Sequence, residues 1–130
     1  MQTSYMTGMV LFAHGSRDGR WAEPFRAIAE RVRGERPELP LRLAFLELME
    51  PDLASAVAAL VQEGVRRVVV VPIFLGQGGH LRNDLPRLAR AVADEHPEVE
   101  VVLAGPAGED PDVLEALAAF AVRATEAQPD

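Results

Sequence analysis

The sequence predicts one α/β domain: a doubly wound, four-stranded parallel sheet in a three-layer α/β/α arrangement. Three observations predict it. Four short apolar runs alternate with four segments of helical periodicity, giving a βαβαβαβα order over 130 residues. The third run contains VVVVPIFL, continuous apolarity that suits a central strand buried on both faces. The chain is also far short of the roughly 250 residues of a parallel barrel. No linker or low-complexity tract divides it, as expected for one domain of this length.

The elements follow in order. Residues 1–8 are expected to form a poorly ordered N-terminal extension, residues 9–126 the domain, and residues 127–130 a tail. The first strand, MVLFA at 9–13, stops at His14-Gly15-Ser16-Arg17. Trp21, Phe25, Ile28, Ala29 and Val32 then share one face of a helix over 21–36, which residues 37–40 break. Trp21 and Phe25 are read as core or interface residues. LRLAFLEL at 41–48 reads as the second strand. Pro51-Asp52 opens a second helix over 53–63, ended by Gly64. The third strand covers 65–75, and Gly76-Gln77-Gly78-Gly79-His80 forms a turn after it. Asn83-Asp84 is expected to cap a third helix that runs to about Glu95, where His96 complements the helix dipole. VEVVLA at 99–104 is the fourth strand. A loop over 105–110 leads to a closing helix over 111–124, with Pro111 in its first turn.

Composition excludes several chemistries. The chain has no cysteine, which removes disulfides, zinc ribbons and thiol nucleophiles. All 13 basic residues are arginines, so Schiff-base chemistry, a pyridoxal phosphate site and a P-loop lysine are absent too. A net charge of −7 argues against nucleic-acid binding by counterion release. No apolar run reaches the roughly 18 residues of a membrane span, and no secretory leader is evident, so a cytoplasmic protein is expected.

In open parallel sheets, ligands bind beyond the carboxyl ends of the strands, where the strand order reverses. In a flavodoxin-like 2-1-3-4 order that point lies between strands 1 and 3. His14 follows strand 1 and His80 follows strand 3, so the topology brings together two histidines far apart in sequence. Glu47 lies on the same rim, at the end of strand 2. Two imidazoles and a carboxylate in one crevice bind a borderline divalent metal or take protons near neutral pH. Each residue also has a plainer role: a turn histidine, a surface carboxylate. Two of the chain's three histidines at one switch point favour the functional role. Gly78 and Gly79 are read as backbone access beside His80, because no phosphate-cradling fingerprint follows strand 1.

The segments HGSR (14–17), FLE (45–47) and PIFLGQGGHLRNDLP (72–86) together resemble the short sirohydrochlorin chelatases of the CbiX type, relatives of class II ferrochelatases. The likeness spans nearly the whole chain. It implies a chelatase-like fold and ATP-independent insertion of Co²⁺ or Fe²⁺ into a polycarboxylated tetrapyrrole. The metal is then a substrate, and no permanent cofactor is expected. By the resemblance, His14 and His80 bind the metal or accept pyrrole protons, and Glu47 helps to hold the metal. Many relatives fuse two such domains, whereas short members pair, so a homodimer is expected. Arg17, Arg20, Arg82 and Arg87 are expected to steer substrate carboxylates; each is otherwise a solvated surface arginine. Ser16 and Asp84 are expected to support the histidines, although Asp84 is first of all a helix cap.

Two other readings use the same residues. A metal or tetrapyrrole carrier would hold its ligand without turnover. A flavodoxin-like mononucleotide binder would want a Ser/Thr/Gly-rich loop after strand 1, and the loop is HGSRDGR.

Overall fold

The structure, a computed structural model, describes residues 6–127. Expectations for residues 1–5 and 128–130 lie outside the described residues. The strands are β1 (Met6–Ala13), β2 (Leu41–Phe45), β3 (Val65–Pro72) and β4 (Glu100–Leu103). The helices are α1 (Glu23–Glu35), α2 (Leu53–Gln62), α3 (Gly79–Glu95) and α4 (Pro111–Thr125), with 3-10 turns at Gly19–Ala22 and Ala107–Glu109. All strand pairs are parallel and the sheet order is β2-β1-β3-β4, the topology expected from the sequence.

Alternation along the strands sorts side chains onto two faces. Val10, Phe12, Val68 and Val70 point to the face covered by α2 and α3. There α2 contributes Leu53, Ala56, Val57 and Leu60, the i, i+3, i+4, i+7 spacing of a buried helical stripe. From α3 come Leu85 and Val92, with Leu81 and Leu88 packed at the edge. Leu11 and Leu41 point the other way, onto Ala29, Ile28 and Val32 of α1. Trp21 stacks on Phe25 at 4.6 Å and both pack against Phe45, so they are core residues. Each fully buried Val or Leu contributes about 1.5–3 kcal/mol. No polar side chain is buried among the described residues. Among them, too, no helix is long and apolar enough to cross a membrane.

Four sequence expectations are corrected. Residues 6–8, assigned to a loose extension, belong to β1, because Met6 to Gly8 pair with the start of β3. β2 ends at Phe45, not at residue 48, since its neighbour β1 ends at Ala13, the register partner of Phe45. β3 likewise ends at Pro72, opposite Phe12, although apolar composition continues to Leu75. Finally, Asn83 and Asp84 do not cap the third helix. α3 begins at Gly79 with Gly78 as its N-cap, which places Pro86 inside the helix. The sequence suggested otherwise because Asn and Asp are favoured N-cap residues. Pro86 brings no amide to the carbonyl of Arg82 one turn earlier.

Candidate active site

The register sets the site. Ala13 lies beside Phe45 and Phe12 beside Pro72, so the three strands finish level and their following residues emerge on one rim. The order of the strands reverses between β1 and β3. From there the chain leaves β1 towards α1 on one face and β3 towards α3 on the other, which makes this the switch point.

His14 is half-buried, and its ring stacks on Phe74 with centroids 4.2 Å apart and planes tilted by 33°. Phe74 is itself 2% exposed and joins the main core, so the imidazole rests on a fixed wall. The next residues tie the first two loops together. The amide of Leu46 donates to the carbonyl of Ala13 at 2.8 Å, and that of Glu47 to the carbonyl of His14 at 3.0 Å. This closeness requires Gly15, whose φ is +99° and whose position would bring a Cβ within 1.8 Å of the Glu47 carbonyl oxygen. Glu47 is exposed at the rim, followed by Leu48 at φ +66°.

The β3 side is built in a similar way. The amide of Ile73 donates to the Phe12 carbonyl at 2.8 Å, and the amide of Gly108 donates to the Phe74 carbonyl at 2.8 Å. A Cβ at residue 108 would meet the Leu75 carbonyl oxygen at 1.8 Å. Beyond this point, Gly78 and Gly79 are exposed and lead into α3, whose second residue is His80. His80 is exposed, and Asp84 lies one turn after it, with no hydrogen bond between them among the described residues.

The other sequence-predicted residues are placed as follows. Ser16 uses its hydroxyl oxygen to accept the amide of Asp18 at 3.1 Å, so it shapes the turn and makes no hydrogen bond to His14 among the described residues. Arg20 pairs with Asp18 at 3.5 Å, and Arg82 Nη2 lies 3.4 Å from Glu109 Oε2. Arg17 and Arg87 are exposed and make no ion pair among the described residues. His96 closes α3 as its C-cap, away from the rim. His14, Glu47 and His80 share the rim, but among the described residues no three His, Asp or Glu side chains gather into a metal-holding cluster. What the topology supplies is an open edge with one supported imidazole, one exposed imidazole and one exposed carboxylate.

Three rim residues escaped the sequence reading. Phe74, Leu48 and Leu75 all looked like strand residues, inside apolar runs that the pairing does not continue. Leu48 and Leu75 are 55% and 66% exposed, two apolar side chains bordering the crevice. Exposed apolar groups beside polar ones are what a flat, partly apolar ligand would use.

Known proteins share this arrangement. The family model described as CbiX matches residues 8–124. A sirohydrochlorin cobaltochelatase of Methanocaldococcus jannaschii is 37% identical over 92 residues, which cover 70% of this chain and 64% of that one. A sirohydrochlorin ferrochelatase of Priestia megaterium is 29% identical over 117 residues, covering 89% of this chain and 44% of its own. The chain thus spans less than two thirds of the length of both relatives. The crystal structure of a Marinobacter aquaeolei VT8 protein, described as a CbiX protein of cobalamin (vitamin B12) biosynthesis, superposes with a TM-score of 0.83 and 37% identity. It covers 92% of this chain and 98% of that one. The family model matches nearly the whole chain and the fold superposes on that of a CbiX protein, and the chain belongs to the CbiX family.

Proposed function

We propose that this protein is a cytoplasmic homodimer that inserts Co²⁺ or Fe²⁺ into sirohydrochlorin or a closely related tetrapyrrole without ATP. What supports the reading is that His14 follows β1 and His80 opens α3 after β3, the two strands at the switch point, with Glu47 tied by its backbone to His14. The naming of the relatives as sirohydrochlorin cobaltochelatase and ferrochelatase supports the reaction class.

Metallation exchanges one divalent ion for two pyrrole N–H protons, so it needs bases that work near pH 7 and a way to strip water from the ion. Neutral imidazole does both. His14, held against Phe74, is the positioned base or metal donor. His80 and Glu47 supply a second nitrogen and a charge that offsets the incoming dication. A thiolate would bind these metals too tightly to release them, and the chain has none. Arg17, Arg82 and Arg87 provide positive charge for the macrocycle's carboxylates in a chain whose net charge is −7. Arg82 and Arg20 each also face a carboxylate, Glu109 and Asp18, through an exposed and easily exchanged pair.

The test is anaerobic metallation of sirohydrochlorin followed by absorbance, with Co²⁺ and with Fe²⁺, against a blank without protein. Multiple turnovers that collapse in His14→Ala and His80→Ala are expected. No acceleration with either metal would overturn the reading, and stoichiometric binding without turnover would make the protein a carrier.

A further inference from the structure

Leu48 and Leu75 stand on backbone that the fold holds in place, yet neither side chain joins a core cluster. Leu48 lies in a short segment anchored at both ends. Leu46 packs against the main core, and Met49 packs against the cluster of Ala13, Ala22 and Phe45. The two residues between them, Glu47 and Leu48, are left exposed, and the chain turns with Leu48 at φ +66°. That conformation is unfavourable for a residue with a branched side chain, and glycine would adopt it freely. No internal packing offsets the strain, because the side chain is more than half exposed. Strain held at an exposed apolar residue beside candidate ligands points to something met outside the fold.

Leu75 is its counterpart on the other side of His14. In the order β2-β1-β3, the residue that follows β1 lies between the segments that follow β2 and β3. Leu48 comes three positions after the end of β2, and Leu75 three after the end of β3. Adjacent strands are about 4.8 Å apart, so the outer two stand roughly 10 Å apart, a width that a flat tetrapyrrole spans. The Leu75 backbone is fixed by Gly108, which fits against its carbonyl and bonds to the carbonyl of Phe74. The next residue, Glu109, pairs with Arg82 at 3.4 Å and so keeps a guanidinium on the Leu75 side. On the Leu48 side stands Glu47, whose amide is bonded to His14.

We propose that Leu48 and Leu75 seat one face of the tetrapyrrole across His14, with Arg82 receiving a peripheral carboxylate on the Leu75 side. The seat rests on the reaction proposed above and adds the residues that decide how the ring lies. A polycarboxylated macrocycle is apolar over its face and anionic around its edge. The rim matches it, apolar at the two leucines and cationic at Arg82. A ring held by its carboxylates alone can swing about them. Apolar contacts on both sides of an imidazole fix its plane, so that the pyrrole nitrogens face His14 and Glu47.

Leu48→Ala, Leu75→Ala, Leu48→Gly and Arg82→Ala would be compared with the wild type in three titrations: metal-free sirohydrochlorin, Co²⁺ alone, and Co²⁺ metallation. Each leucine-to-alanine change is expected to raise Kd for sirohydrochlorin about tenfold, and KM with it. Affinity for Co²⁺ alone should not move. The leucine effects should persist at high salt, whereas that of Arg82→Ala shrinks. Leu48→Gly should lose the same affinity while its melting temperature at least equals that of the wild type, since glycine accepts the left-handed φ. Unchanged affinity for sirohydrochlorin in both alanine variants overturns the seat and leaves the reaction standing. Affinity losses that only follow a fall in melting temperature, or that vanish at high salt, overturn it too. So does a native mass altered by either change, which would make the leucines a contact between chains. A wild type that binds the macrocycle through these leucines without metallating it removes the reaction alone, and one that does not bind it removes both.

Discussion

The amide of Glu47 donates to the carbonyl oxygen of His14 at 3.0 Å, which couples the backbone of the rim carboxylate to that of the first histidine. Gly15 makes the approach possible, since a Cβ there would stand 1.8 Å from the Glu47 carbonyl oxygen. The two loops therefore behave as one structural unit, and a change in either displaces both functional groups.

Gly15→Ala is accordingly expected to cost at least about 2 kcal/mol, from the steric conflict and from the left-handed φ that alanine resists. Urea denaturation would show a lowered midpoint with an unchanged slope, and metallation would fall with it. A midpoint equal to that of the wild type would contradict the described contact.

Phe74→Leu keeps an apolar side chain in the core but removes the surface on which the His14 ring rests. The stability loss is expected to stay within about 1.5 kcal/mol. Turnover should drop roughly fivefold, in keeping with about 1 kcal/mol of aromatic stacking that no longer orients the base. Phe74→Ala should instead cost about 3–5 kcal/mol by cavity formation. Steady-state kinetics beside thermal melts separates the two effects; equal activity of Phe74→Leu and wild type would show that the stack is not used.

Arg82 and Glu109 are paired at 3.4 Å, with side chains 62% and 54% exposed, and such surface pairs contribute little. Glu109→Gln should change stability by less than about 1 kcal/mol. Arg82→Ala, by contrast, should raise KM for the polycarboxylate several-fold at low salt while leaving kcat nearly unchanged. The difference should shrink as ionic strength rises and the Debye length falls. A salt-independent KM would rule out electrostatic steering by this residue.

Asp52 caps α2, and its carboxyl is held below the ordinary carboxylate range, chiefly because it accepts the amide of Ser55 at 2.8 Å. A pKa lowered by folding stabilises the native state above the unfolded value, and that contribution is lost as pH falls through the folded value. Asp52→Ala should therefore cost about 1 kcal/mol at neutral pH. The gap between variant and wild type should stay constant down to about pH 4 and narrow below it, as denaturation midpoints taken across the acid range would show.

The order of elements was legible because it rests on local signals. Apolar runs locate the strands, and His14 directly follows the first of them, whereas His80 lies in the first turn of α3, well beyond the end of β3 at Pro72. The strand ends were not legible, since residues 46–48 and 73–75 stay apolar after their partner β1 has run out at Ala13. Where pairing stops depends on another strand, which composition does not report. The same cause hid Phe74, which reads as one more strand residue and in the fold supports an imidazole from another loop. The Asn83-Asp84 cap failed for the opposite reason: a strong local preference was overridden by the packing of Leu81, Leu85 and Leu88 along one continuous helix.

Pro86 also gives the rim a mechanical asymmetry. Without an amide at this position, the turn that holds His80 lacks one of the bonds that would bind it to the helix behind. His14 stands on a floor tied down through Phe74, Glu47 and Gly15, whereas His80 is exposed on a first helical turn that lacks the bond an amide at residue 86 would supply.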